Sequence, residues 1–158
     1  MENEALPLLR HTVATLAYRG GKTLRGAPPE FADFRAGEKA RTPAEILAHI
    51  GDLLDWALKL ADGKHEWHDS SPLPLEQGTA RFYAGLEAFD RRLASSQPLG
   101  CTAEKLFQGP IADALTHVGQ IAMLRNLAGC KMRAENYYKA EIAAGRVGAD
   151  QAGPRFEF

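Results

Sequence analysis

The sequence predicts an all-α fold, a four-helix bundle with a short additional C-terminal helix. Three observations point there. Apolar residues return at spacings of three and four along four long segments. Gly- and Pro-rich breaks separate those segments, and the alternating pattern of strands is nearly absent. At 158 residues the chain is about one domain, 1–158, with its core over about 5–144 and a tail at 145–158.

The first helix is expected over 5–24, where Leu9, Val13, Leu16 and Ala17 share one face. Gly20-Gly21 weakens its end, and the run from Gly26 to Pro29 stops it. Residues 30–41 are mixed in character, with Phe31 and Phe34 expected to tuck under the bundle. The second helix has the clearest start. Thr42-Pro43-Ala44-Glu45 places a hydroxyl at the N-cap, proline at the first helical position and glutamate at the third. It runs to about 62 and stops at Gly63, with Ile46, Ile50, Leu53, Ala57 and Leu60 as its buried stripe. The third helix, 75–94, carries Phe82, Leu86, Phe89 and Leu93 at bundle spacing. After a break at 95–100 and a short turn at 102–106, the fourth helix starts near Pro110 and ends at Gly129. Ile111, Leu115, Val118 and Ala122 form its stripe. A last short helix is expected over about 135–144, closed by Gly145. The tail reads as coil, with Phe156 and Phe158 as candidates for packing.

A net charge of −1 and a pI near 6.5 argue against general binding to nucleic acid. No apolar run approaches the length of a membrane span. The N-terminal stretch lacks the basic and apolar regions of a secretory leader. Cys101 and Cys130 form no CxxC pair and are read as reduced thiols. Together these predict a soluble, cytoplasmic protein.

Chemistry concentrates in the fourth helix. Asp113 and His117 lie four residues apart, about 40° on one helix face. Two ligand atoms one turn apart suit a single metal ion. His49 sits at the edge of the second helix's apolar stripe and should point into a helix–helix seam. Two imidazoles and a carboxylate suit zinc, nickel or iron(II), and leave positions for water or substrate. The plain alternative is a packed histidine and a chance Asp-x3-His pair. Asp52 and Trp56 follow His49 on the same edge; Asp52 either orients a ligand or is a solvated carboxylate. Gln120 is a candidate for contacting substrate or bridging helices. Arg125 falls near the apolar stripe and needs a partner, an anionic substrate or an internal salt bridge. His65 and His68 are expected to be solvated in a loop.

The segment from Asp113 to Gly129, with His117-Val118-Gly119-Gln120 and Leu124-Arg125, resembles the signature helix of the DinB-like superfamily. Its members carry His-x3-His, then Gly-Gln and a later Leu-Arg. The capped helix bearing His49 resembles that family's first ligand helix, and Val13 to Arg19 and Arg133 to Tyr137 are also similar. The likeness spans about 9–143. It implies a metal triad of His49, Asp113 and His117, with Asp113 standing where the family has histidine. It further implies a homodimer, a small-molecule substrate and a metal-dependent enzyme. A thiol-dependent S-transferase using a low-molecular-weight thiol, or a hydrolase, is the activity implied. The rival is a non-catalytic helical binding or stress-response protein whose metal site has decayed at Asp113.

Overall fold

The computed structural model describes residues 2–158. Its long helices are α1 (Glu2–Leu24), α2 (Pro43–Ala61), α3 (Leu75–Ala94) and α5 (Ala112–Leu127), with a single helical turn, α4 (Ala103–Leu106), before the last. Among the described residues there is no strand, only one isolated bridge between Glu135 and Glu157. No helix is long and apolar enough to cross a membrane.

The four long helices pack as a bundle. α1 and α2 each lie against both α3 and α5, so α1 and α2 take opposite corners. Chain neighbours α1 and α2 are therefore not spatial neighbours, and the connection 25–42 must cross the bundle end. Its 3-10 turn, Pro29–Asp33, packs on α2 and α3 and carries Phe31 into the core; Phe34 follows at its edge. The predicted stripes of α1, α2 and α3 form the interior: Val13, Leu16, Ile50, Phe82, Leu86, Phe89 and Leu93 are at most 1% exposed. On α5 the expected stripe is corrected: Ala114, Val118, Ile121 and Leu124 are buried, while Leu115 and Ala122 are only partly so.

Local chemistry explains the ends. At α2 the Glu45 N–H donates to Thr42 Oγ1 (3.2 Å) and the Thr42 N–H donates to Glu45 Oε2 (2.9 Å). That contact holds the Glu45 carboxyl below its ordinary pKa. Gly63, at φ +76°, ends the helix in the left-handed region. Gly20 has a packing role in α1. The helix runs to Leu24, and the glycine admits the Phe82 ring: a Cβ there would stand 2.5 Å from Phe82 Cζ.

Two further expectations are corrected. The fourth helix is not regular from Pro110. Residues Phe107–Ile111 form a π-helical turn between α4 and α5, with the Ala112 N–H reaching back to the Phe107 carbonyl. Proline lacks an N–H and its ring crowds the carbonyl four residues back, so the ladder widens there. The C-terminal helix over 135–144 does not form; only a 3-10 turn, Tyr137–Lys139, is present. A helix that short is marginal on its own. Tertiary contacts take its residues instead. Asn136 caps Tyr138, and its N–H donates to the Phe156 carbonyl. The Glu135 carboxylate is drawn onto α1, where it accepts from Lys22 Nζ (2.6 Å) and Tyr18 Oη (2.5 Å). Burial and this carboxylate raise the Tyr18 pKa well above its usual value. Phe156 and Phe158 stay exposed, though Lys139 Nζ lies 4.4 Å from the Phe156 ring centre.

Candidate metal centre

α2 and α5 lie side by side, and His49 comes from the first while Asp113 and His117 come from the second. Each of the three offers a ligand atom, all within 4.8 Å of one another. His49 Nε2 lies 3.5 Å from Asp113 Oδ2, and His117 Nε2 lies 3.4 Å from Asp113 Oδ1. The two imidazoles stand edge to face, centroids 4.7 Å apart. These separations are too long for imidazole–carboxylate hydrogen bonds. The two imidazoles face the two oxygens of one carboxylate, at separations near the roughly 3.4 Å between neighbouring ligands of a cation bound at about 2.1 Å. The donor set and spacing thus fit one divalent cation.

His117 is oriented for that role. Its Nδ1 lies 2.7 Å from Gln120 Oε1. A Gln carbonyl oxygen only accepts, so Nδ1 carries the proton and Nε2 presents its lone pair toward Asp113. Both imidazoles are partly covered, with side chains 22% and 13% exposed, while the Asp113 side chain is 48% exposed. The site therefore opens to solvent on the carboxylate side.

A wall of aromatic rings flanks it. Trp67, from the loop between α2 and α3, packs edge-on against His49 at 5.6 Å between centroids. The same ring packs at 88° against Trp56, 5.8 Å away. That loop is clasped to α2. The Ser70 N–H and hydroxyl donate to the Asp52 carboxylate at 2.9 and 2.6 Å. His68 Nε2 lies 3.1 Å from Asp52 and 3.2 Å from Asp55.

Asp52, Asp55 and His68 form a second cluster of ligand type. Here, however, Arg81 from α3 donates to Asp52 Oδ1 (2.7 Å) and Asp55 Oδ2 (2.8 Å). Its guanidinium already stands where a cation would be held. Gly51 makes room for it, since a Cβ there would lie 2.6 Å from Arg81 Nη1. The two clusters differ in kind: the second is a closed network at hydrogen-bonding distance, the first an open triad.

Asp52 is therefore the acceptor of a clasp and not simply a solvated carboxylate. Burial opposes its charge, but Ser70 and Arg81 outweigh that and hold its pKa below the ordinary carboxylate value. A carboxyl depressed in the folded state stabilises fully above its unfolded pKa, near 3.9, and less as pH falls through the lower folded value. Urea unfolding between pH 6 and 2.5 should thus show stability dropping below about pH 4. Asp52→Asn should be less stable at pH 6 and show a shallower drop. An unchanged slope would remove Asp52 from the acid response.

The remaining predicted residues separate. Gln120 supports His117, as above. Arg125, 5% exposed, donates to the carbonyls of Thr23 (3.2 Å), Arg25 (2.8 Å) and Cys130 (2.8 Å). It joins the end of α1 to the chain after α5, and the expected internal salt bridge is absent among the described residues. His68 is not merely solvated: the loop returns it to Asp52 and Asp55. Sequence reading missed the tryptophan wall and the clasp. The one available signal was Asp52, Asp55 and Trp56 on neighbouring faces of α2, with Trp67, His68 and Ser70 close together in the next loop.

Compared with protein-family models, curated proteins and solved structures, the chain matches none.

Proposed function

We propose that this protein is a metal-dependent enzyme of the DinB-like type, acting on a small molecule as a thiol-dependent S-transferase or a hydrolase. His49, Asp113 and His117 would hold one divalent cation, zinc, nickel or iron. The observation that carries this reading is the convergence of two imidazoles and a carboxylate from two helices, with ligand atoms within 4.8 Å of one another. The chain's resemblance to that superfamily and its four packed helices support it. When bound, such a cation supplies Lewis acidity toward an oxygen or sulfur atom and makes it easier to deprotonate.

The chain's own residues set the surroundings. Gln120 fixes the tautomer and direction of His117. Trp67 covers the His49 face from water, and the exposed edge of Asp113 leaves the approach for substrate. Aspartate where the family has histidine makes the site harder and more anionic, which favours zinc or iron over softer ions. The unpaired Cys101 and Cys130 suit a reducing, cytoplasmic setting.

The test is metal analysis of purified, tag-free protein, with His49→Ala and His117→Ala alongside. Wild type should carry about one equivalent and each variant little. Equal metal in all three removes the reading. Exposed Leu8, Phe107, Met123 and Leu127 on α1, the π turn and α5 support a homodimer as part of the same reading. Sedimentation at micromolar concentration should give a dimer mass; a monomer rules this part out.

A further inference from the structure

Beside the triad lies an open depression of about 390 Å³, lined by Trp56, Gln108, Gly109, Ala112, Asp113 and Thr116. It contains one candidate metal ligand and one indole. The π turn positions its far wall, because Gly109 lies within that turn and opposite Trp56. A Cβ on Gly109 would reach within 3.8 Å of the Trp56 six-membered ring. The glycine thus leaves uncovered a part of the ring that any other residue would touch. Trp67 meets Trp56 at 88°, so the indole is held upright as one side of the depression. No cationic side chain lines the space, and its polar groups besides Asp113 are the Gln108 amide and the Thr116 hydroxyl.

We infer that the substrate of this site bears a neutral aromatic or flat apolar group that rests against Trp56, with an oxygen, nitrogen or sulfur donor directed to the Asp113 side of the triad. This deepens the metal-enzyme reading and rests on it. The chemistry is set by the walls. An indole beside a glycine favours a planar, apolar partner, and aromatic pairs contribute beyond the area they bury. An anionic tail finds no cationic partner in the depression, whereas a neutral group can accept from the Gln108 amide or donate to the Thr116 hydroxyl oxygen, whose own proton goes to the Ala112 carbonyl at 3.0 Å. Trp56 is thereby a specificity-determining residue, and a side chain at Gly109 would cover part of its ring.

Acetohydroxamate and benzohydroxamate separate the two ideas, since both chelate zinc through the same oxygens and only the second carries a ring. Their affinities for the zinc-loaded full chain are to be measured by calorimetry in wild type, Trp56→Leu, Trp56→Phe and Gly109→Val. In wild type the ring should tighten binding about 3- to 10-fold. That ratio should fall to near one in Trp56→Leu and Gly109→Val and persist in Trp56→Phe. Acetohydroxamate affinity should stay the same in all four. Zinc and acetohydroxamate binding normally, with a ring preference equal in all four proteins, overturns the inference and leaves the metal site standing. Failure of zinc to bind wild type overturns both. Should Trp56→Leu not fold, Gly109→Val decides the matter alone.

Discussion

His117→Ala should weaken zinc or nickel binding by at least about 100-fold while leaving the metal-free fold close to wild type in stability. The magnitude follows from the ligand geometry. Removing a supporting partner of a ligating histidine typically costs 10- to 100-fold in affinity, and removing the ligand itself costs more. The series is graded. Gln120→Ala, which frees His117 Nδ1 from its 2.7 Å acceptor, should lose about 10- to 100-fold. Asp113→His, which recreates His-x3-His, should retain binding and shift preference toward softer ions. A thermal readout gives an independent check. Free metal at 1,000 times its dissociation constant stabilises by about 4 kcal/mol, or roughly 8–16 °C for a chain of this length. That rise should be present in wild type, reduced in Gln120→Ala and absent in His117→Ala. Identical rises in all three would mean that the cation binds elsewhere.

Glu135→Ala should be the most destabilising single change outside the apolar core, by about 3–5 kcal/mol. The Glu135 side chain is 1% exposed and accepts from Lys22 Nζ and Tyr18 Oη together. Truncation leaves the ammonium of Lys22, a side chain 9% exposed, with Glu157 at 3.0 Å as its remaining partner. It also orphans a buried phenol. In urea the midpoint should move accordingly, and the melting temperature should fall by roughly 6–20 °C. Glu135→Gln, which still accepts from Tyr18, should lose less. Lys22→Met combined with Glu135→Gln should recover part of the loss, because the uncompensated charge is gone. A loss under about 1 kcal/mol for Glu135→Ala would show that Glu157 and water satisfy Lys22 without it.

The parts of this molecule legible in its sequence are those set by local rules. Thr42 to Glu45 announces the start of α2 because both halves of the capping box are within one turn. The seam of Phe82, Leu86, Phe89 and Leu93 fixes which face of α3 is buried. Asp113 and His117 share a face through helical geometry, and His49 follows from its place at the edge of a buried stripe. The unread parts depend on distant partners. Nothing near Glu135 in the chain says that its carboxylate meets Lys22, 113 residues away, so a helical pattern there was overridden. Likewise the irregular loop before α3 carries no periodicity, and its docking on Asp52 depends on an arginine from α3. Pro110 did signal a boundary, but the choice between a plain helix start and a π turn lies in how α4 and α5 both pack on α2.

Trp56 and Trp67 are the chain's two tryptophans, and both stand beside the triad. Ultraviolet emission excited at the red edge of indole absorption therefore originates at this one corner of the bundle. A paramagnetic ion seated on His49 would quench it directly, so occupancy can be followed without a label. The same placement carries a warning for unfolding studies. Emission tracks the release of the loop from α2, and only backbone dichroism follows the helices as a whole.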